Sequence, residues 1–288
     1  MATFSESNLS LVLLRSIFLA SFLLTASANF YRDAEITWGD GRGKIVDGGR
    51  ALTLSLDRYS GSGFQSKNEY LFGRFDLQLK LVPGNSAGTV TTFFLSSQGT
   101  GHDEIDFEFL GNSSGEPYTI HTNVYTQEKE IRNNNSICGS IRLLLSTLTL
   151  SSGILNASYS WWTTLRLEYT TITNQLELHF RKSQPMRIRC SLWNADQWAT
   201  QGGRVKTDWT KAPFVATYRN FNINGCVAGS SCGSKSTDSF NSDAWKTQDL
   251  DPIGRYRLRW VQQNHMIYNY CTDYQRFPQG VSAECKLS

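Results

Sequence analysis

Three acidic residues alternate with apolar residues in one short stretch of this 288-residue chain: Glu104, Asp106 and Glu108 stand two positions apart. In a β-strand such side chains share one face, so three carboxyl groups would line one side of the strand. Adjacent like charges destabilise a sheet and raise one another's pKa values, so one carboxyl is expected to keep its proton at neutral pH. A carboxylate beside a protonated carboxylic acid is the catalytic pair of a glycosidase. The alternatives are a solvated acidic strand and a calcium site, although calcium loops space their ligands with Gly and Asn.

Short β-strands are the elements predicted to position these carboxyl groups. Ile105, Phe107 and Phe109 fall on the opposite face of the acidic strand, where they would anchor it in a core. The same alternation occurs over residues 72–82, and turn signals rich in Gly and Pro separate the runs. Many short strands with regular turns predict an all-β protein, a jelly-roll β-sandwich. Residues 251–266 differ, because the spacing of their apolar residues is helix-like.

Residues 102–111 resemble the active-site strand of the xyloglucan endotransglucosylase/hydrolases of glycoside hydrolase family 16. Further stretches resemble that family in the same order along the chain: residues 72–76, 92–96, 121–127, 191–196, 206–209 and 274–280. The resemblance implies a concanavalin-like sandwich over residues 29–220. It also implies a short C-terminal extension over residues 221–288, which lengthens the acceptor side of the cleft.

By this resemblance, Glu104 is the nucleophile, Glu108 the general acid/base and Asp106 the hydrogen-bond partner of the nucleophile. A retaining glycosidase needs carboxyl groups about 5–5.5 Å apart, whereas an i,i+4 pair on a straight strand has Cα atoms roughly 13 Å apart. The two Glu side chains are therefore expected to lean toward each other. The implied reaction is cleavage of the β-1,4-glucan backbone of xyloglucan and religation to another xyloglucan chain, without a cofactor or a metal. The alternatives are a xyloglucan endo-hydrolase and a carbohydrate-binding module without catalysis.

The resemblance also implies residues that bind the glucan. They are His121, Thr122, Asn123 and Gln127 beside the catalytic strand, Trp193, Asn194, Gln197, Trp198 and Gly202 farther along, and Arg276 in the tail. Trp193 could instead be a core residue, and Arg276 could only cap the tail. The chain departs from the family's pattern where Gln197 replaces Asp and Gln201 replaces Arg, and where Arg189 and Cys190 replace Tyr and Ser. These departures leave the polar contacts at those positions open.

Targeting signals and cysteines indicate a secreted protein. Residues 1–28 combine an apolar run with a small-residue cleavage site and are predicted to be a signal peptide, so no membrane segment would remain after cleavage. Six cysteines in a secreted chain suggest disulfides, and the family pairs Cys226 with Cys232 and Cys271 with Cys285. The sequon at Asn112 matches a glycosylation site of the family. A net charge of +3 is too small to indicate nucleic acid. We expect a monomer in the plant cell wall, or apoplast.

Residues 128–181 do not resemble the family, because they are rich in Ser, Thr and Leu where core strands with aromatic residues are expected. Codons exist for residues 133–142 that, in a frame displaced by two bases, spell the family's Q-Q-F-H-L-W-F-D-P, and the match continues to residue 181. We therefore interpret this segment as translated from a shifted frame between two compensating insertions or deletions. If the cell makes this frame, several buried aromatics are lost, at about 3–5 kcal/mol each, against a domain stability of about 5–15 kcal/mol. An inactive product of a damaged gene is thus a further alternative.

Overall fold

A computed structural model describes residues 29–126, 129–132, 162–168, 184–230 and 252–281. These ranges contain twelve strands, and every strand pair is antiparallel. The strands are β1 (Ala34–Trp38), β2 (Gly43–Val46), β3 (Ala51–Leu56), β4 (Ser62–Ser66), β5 (Tyr70–Lys80), β6 (Thr89–Ser97), β7 (Glu104–Leu110), β8 (Thr119–Thr126), β9 (Lys129–Arg132), β10 (Trp162–Glu168), β11 (Met186–Asn194) and β12 (Phe214–Val227).

Helices are few and short in the described ranges. The α-helices are α1 (Phe30–Asp33) and α2 (Pro252–Asn264), and four 3-10 turns lie at Asp47–Gly49, Gln201–Gly203, Trp209–Lys211 and Tyr270–Thr272. Helix α2 confirms the helix that the apolar spacing over residues 251–266 indicated. Within the described part of the chain, no helix has the length and apolar character needed to span a membrane.

The strands form two layers that are joined at a single residue pair. One layer has the order β2-β3-β12-β5-β10 and the other β1-β4-β11-β6-β7-β8-β9, and Met186 of β11 meets Tyr70 of β5 where they join. Apolar side chains from both layers form one buried cluster, in which the rings of Phe64 and Tyr218 lie 5.1 Å apart. This is the sheet-on-sheet packing of a sandwich, so the predicted all-β jelly-roll fold is confirmed.

Strand β12 crosses the boundary that was predicted between the sandwich and the C-terminal extension. It continues past residue 220 to Val227, and Asn222 and Cys226 still pair with β5. The sandwich therefore extends beyond residue 220, because the C-terminal end of this strand still pairs with β5.

The cysteines are consistent with disulfides in this part of the molecule. Cys226 and Cys271 are both disulfide-bonded. Cys232 and Cys285 lie outside the described residues, so their pairing stays a prediction. Cys190 is a free, buried thiol in the core, where burial raises its pKa well above the usual range.

Candidate active site

The acidic strand β7 lies between β6 and β8 in the second layer of the sandwich. Ile105, Phe107 and Phe109 are buried in the main core, as the alternation predicted. The three carboxyl groups are therefore on the outer face of the layer. The side chains of Glu104 and Glu108 remain 23% and 15% exposed, so both can be reached from solvent.

Asp106 lies between the two glutamates and is the most buried of the three acidic residues, with 7% exposure. Burial raises the pKa of Asp106 well above its usual range, and the charges of Glu104 and Glu108 raise it further. Asp106 also hydrogen-bonds Glu104, which raises its pKa, and Asn123, which lowers it. When Asp106 is protonated it can donate to the Glu104 carboxylate, and the strand then carries one negative charge fewer than its composition indicates.

Glu108 is held by a histidine on the neighbouring strand. His121 stands directly opposite Glu108 in the β7–β8 ladder, and its Nδ1 lies 2.5 Å from Glu108 Oε2. The imidazole is buried, and its Nε2 makes no hydrogen bond with any described residue. Its ring meets the edge of Trp198 at 6.2 Å between centroids. The hydrogen bond from His121 orients the Glu108 carboxyl group, and the ring contact places it beside an aromatic wall.

Two tryptophans form that wall. Trp193 and Trp198 have ring centroids 6.1 Å apart. Trp193 packs partly buried on a small apolar cluster formed by Val90, Leu110, Ala195 and Ala199, whereas Trp198 is 36% exposed. Trp193 is therefore in part a core residue, because it packs on this apolar cluster. It also contacts the exposed indole of Trp198. An exposed aromatic face is what a pyranose ring stacks on.

Of the other predicted binding residues, Asn123 faces the carboxyl groups and Thr122 does not. Asn123 stands opposite Asp106, while the buried Thr122 stands opposite Phe107 of the core. The prediction that Thr122 contacts substrate is therefore corrected for its side chain, because strand alternation directs it into the sandwich. Gln127 lies outside the described residues.

The residues after β11 have mixed roles. The Asn194 amide donates to Thr207 Oγ1 at 2.6 Å, so it holds the loop together. Gln197 and Gly202 are exposed, and a Cβ on Gly202 would meet nothing. The close backbone approach within the protein is at Gly203, where a Cβ would lie 1.9 Å from the Gln197 carbonyl.

Arg276 and Asn112 have contacts near their own positions in the chain. The guanidinium of the exposed Arg276 lies 5.6 Å from the centroid of the neighbouring Phe277 ring. The Asn112 amide, just after β7, donates to Pro117 O at 3.1 Å. The glucan contact of Arg276 and the glycan on Asn112 stay predictions.

Two further residues lie on the carboxylate face: Phe94 was missed by the sequence prediction, and Arg189 was noted there without being assigned to the site. Phe94 is half-buried and stands opposite Asp106 on β6, and Arg189 stands opposite Phe94 on β11. Arg189 Nε is buried without a hydrogen-bond partner in the described ranges. The alternation of Thr92, Phe94 and Ser96 was a signal for this face. Across the described ranges, no group of three or more His, Cys, Asp or Glu side chains could hold a metal ion.

The chain matches known families and proteins over most of its length. The family model "Glycosyl hydrolases family 16" matches residues 30–140 and 163–211, and "Xyloglucan endo-transglycosylase (XET) C-terminus" matches residues 240–285. The unmatched residues 141–162 lie inside the segment interpreted as frame-shifted, whereas residues 128–140 and 163–181 of that segment do match the family model.

Curated relatives and a solved structure are similar to the chain. Xyloglucan endotransglucosylase/hydrolase protein 22 of Arabidopsis thaliana is 54% identical over 271 residues, covering 92% of this chain and 95% of that protein. Xyloglucan endotransglucosylase protein 1 of Diospyros kaki is 50% identical over 288 residues, covering 97% and 96%. A Bacillus licheniformis beta-glucanase structure is 18% identical with a TM-score of 0.42, covering 67% of this chain and 91% of that one. The family models and the curated relatives together show that this chain belongs to glycosyl hydrolase family 16.

Proposed function

We propose that this chain cleaves the β-1,4-glucan backbone of xyloglucan and joins the new end to another xyloglucan chain, which remodels the plant cell wall. The observation that carries the proposal is the outer face of β7, where Asp106 hydrogen-bonds Glu104 and His121 holds Glu108. Relatives about half identical to this chain carry the name xyloglucan endotransglucosylase.

The first half of the reaction uses the three carboxyl groups in different ways. Glu104 attacks the anomeric carbon, and Glu108 gives its proton to the leaving glycosidic oxygen, so that a covalent glycosyl-enzyme forms. Asp106 donates a hydrogen bond to Glu104 and orients it. The proton on Asp106 also reduces the repulsion that three charges on one strand would cause.

The second half of the reaction decides between transfer and hydrolysis. Glu108, now a carboxylate, removes a proton from the incoming hydroxyl group. A sugar hydroxyl gives transglycosylation, and water gives hydrolysis. Trp193 and Trp198, next to the His121–Glu108 pair, offer an aromatic surface for an acceptor ring. A sugar held on this surface competes better with water, which supports transfer as the main reaction.

The place of action follows from the predicted signal peptide. We infer that the chain is secreted to the apoplast, and that it works there as a monomer on donor and acceptor xyloglucan chains. Neither a cofactor nor a metal has a part in the reaction that we propose.

The test replaces the nucleophile without changing its shape. Glu104→Gln should lower the rate of transfer from xyloglucan polymer to a fluorescent xyloglucan oligosaccharide by roughly a thousandfold or more, because the amide cannot form the glycosyl-enzyme. Binding to xyloglucan should persist. Glu116→Gln, an exposed carboxyl in the turn after β7, is the matched control and should keep full activity.

Each alternative predicts a different result. A binding module would be unaffected by Glu104→Gln. An endo-hydrolase would release reducing ends at the same rate with and without an acceptor oligosaccharide. An inactive product of a frame-damaged gene would yield no folded, secreted protein, and the unmatched residues 141–162 are the observation that favours it.

A further inference from the structure

A continuous row of residues crosses the second layer from the catalytic strand to its far edge. Glu108 on β7 is paired with Thr92 on β6, Thr92 with Ser191 on β11, and Ser191 with Gly63 on β4. Gly63 is in turn paired with Trp38 at the end of β1. Since neighbouring strands are about 4.8 Å apart, Gly63 lies three strand spacings, or roughly 14 Å, from Glu108.

A break in the β1–β4 register places Trp38 on the same face as the carboxyl groups. Ile36 stands opposite the core residue Phe64, although it is itself 40% exposed at the edge of the layer, so without a bulge Trp38 would lie on the same face of β1 as Ile36. The register shifts between Ile36 and Trp38, and this brings Trp38 opposite Gly63 instead. A bulge of this kind redirects a side chain, and bulges are common next to active sites.

The indole of Trp38 lies directly over the Gly63 backbone. A Cβ on Gly63 would be 2.3 Å from Trp38 Nε1, and it would point to the outer face because Ser62 and Phe64 on either side are buried. Trp38 is nevertheless 43% exposed. The glycine thus leaves room for the ring to lie on the sheet with part of its surface open to solvent.

Between Trp38 and Glu108 the row consists of small residues, which form the floor of the outer face. Gly63, Ser191 and Thr92 are small, and the Ser191 and Thr92 hydroxyls hydrogen-bond each other at 2.7 Å. The next row along the strands contains Arg189 and Phe94. Arg189 Nε, which has no partner among the described residues, can donate to a sugar hydroxyl.

We propose that Trp38 is a distal sugar-binding platform, on which one ring of the glucan chain stacks after crossing the floor from Glu108. The inference rests on the proposed function, because it takes a β-1,4-glucan as the ligand. A pyranose ring matches this site, since an exposed indole offers a flat apolar face and a polar edge. A chain that reaches Trp38 must span several sugar rings, so only long substrates would use it.

The test compares long and short substrates. Trp38→Ala should raise KM for xyloglucan polymer roughly fivefold to tenfold, the loss of one aromatic stacking contact, with little change in kcat. A short xyloglucan oligosaccharide that fills only the subsites next to Glu104 and Glu108 should keep its kcat/KM. Trp38→Phe should restore most of the affinity for polymer. Tyr59→Ala, an 84% exposed aromatic in the turn before β4, is the control and should match the wild-type chain.

The outcomes separate this proposal from the proposed function. An unchanged KM for polymer in Trp38→Ala, or an equal loss on long and short substrates, would overturn the platform while leaving the enzyme assignment intact. Inactivity of the folded wild-type chain on xyloglucan would refute the proposed function instead. Electrophoresis in gels that contain xyloglucan then measures binding without turnover. Retardation of the wild-type chain that Trp38→Ala abolishes supports the platform, and equal or absent retardation overturns it.

Discussion

At the scale of single residues, Asp106 sets the charge of the catalytic strand. It is buried between Glu104 and Glu108, and these surroundings raise the pKa of Asp106 well above its usual range. Its Oδ1 has no hydrogen-bond partner in the described ranges. A neutral Asp106 can donate a hydrogen bond to the Glu104 carboxylate. Asp106 therefore acts on its neighbour Glu104 through this hydrogen bond.

The raised pKa of Asp106 makes stability depend on pH in a defined direction. The folded state binds this proton more tightly than the unfolded state, so the contribution is full below the unfolded pKa of about 3.9 and is lost as pH rises through the folded pKa. We expect Asp106→Asn to remove this decrease in the free energy of unfolding with rising pH, because the amide does not titrate. Chemical denaturation of both proteins at several pH values measures it: the free energy of unfolding of the wild-type chain should decline relative to the variant above about pH 4. Parallel curves would contradict the prediction.

At the scale of elements, the ends of β7 and β11 are held together by one hydroxyl group. Thr200, in the loop after β11, is 2% exposed. Its Oγ1 accepts from Gly88 N at 2.7 Å, just before β6, and donates to Gly111 O at 2.8 Å, just after β7. The loop that carries Trp198 is thereby fixed to the catalytic strand, so the aromatic wall and the carboxyl groups keep their relative positions.

Removing that hydroxyl should weaken the whole domain. Thr200→Val keeps the side-chain shape but leaves a buried N–H and a buried carbonyl unpaired, so we expect the free energy of unfolding to fall by about 2 kcal/mol. Thr200→Ser retains the hydroxyl and should lose less. Urea denaturation of the three proteins makes the comparison. Equal midpoints for Thr200→Val and the wild-type chain would show that the two backbone groups find other partners.

At the scale of the whole molecule, the two layers share one core, and the family-like parts of the chain supply its described residues. The layers contribute residues from β3, β5 and β12 on one side and from β6, β7 and β11 on the other. Residues 128–181, interpreted as frame-shifted, fall between β8 and β11 in the chain and contain β9 and β10. The predicted family segment there would add aromatic residues to the same sandwich.

The nucleotide sequence of gene and transcript across the codons for residues 120–190 tests this interpretation. We expect the displaced frame to encode the family-like segment without interruption. A chain with the frame restored should be more stable than the present chain, because each buried aromatic contributes about 3–5 kcal/mol. Thermal unfolding of both chains checks the second point. Codons that do not spell the family segment in the displaced frame would mean that the segment is a true divergence.

Local pattern was enough to predict much of this protein from its sequence. The alternation around Ile105, Phe107 and Phe109 identified the buried side of the catalytic strand and therefore its acidic side. The same reasoning predicted the all-β sandwich and the helix α2. These features depend on residues close together in the chain, whose relative positions are set by the periods of strand and helix.

The rest depends on register between distant strands, which the sequence alone does not reveal. The pairing of His121 with Glu108, the burial of Thr122 opposite Phe107, and the bonding of Asn194 to Thr207 all follow from it. Trp38 is the strongest case, since one bulge in β1 moves it from the core face to the carboxylate face. The sequence therefore determined which face of β7 carries the carboxyl groups. The tertiary structure decided which other side chains share that face, because a shift of one residue in strand pairing reverses the direction of every side chain beyond it.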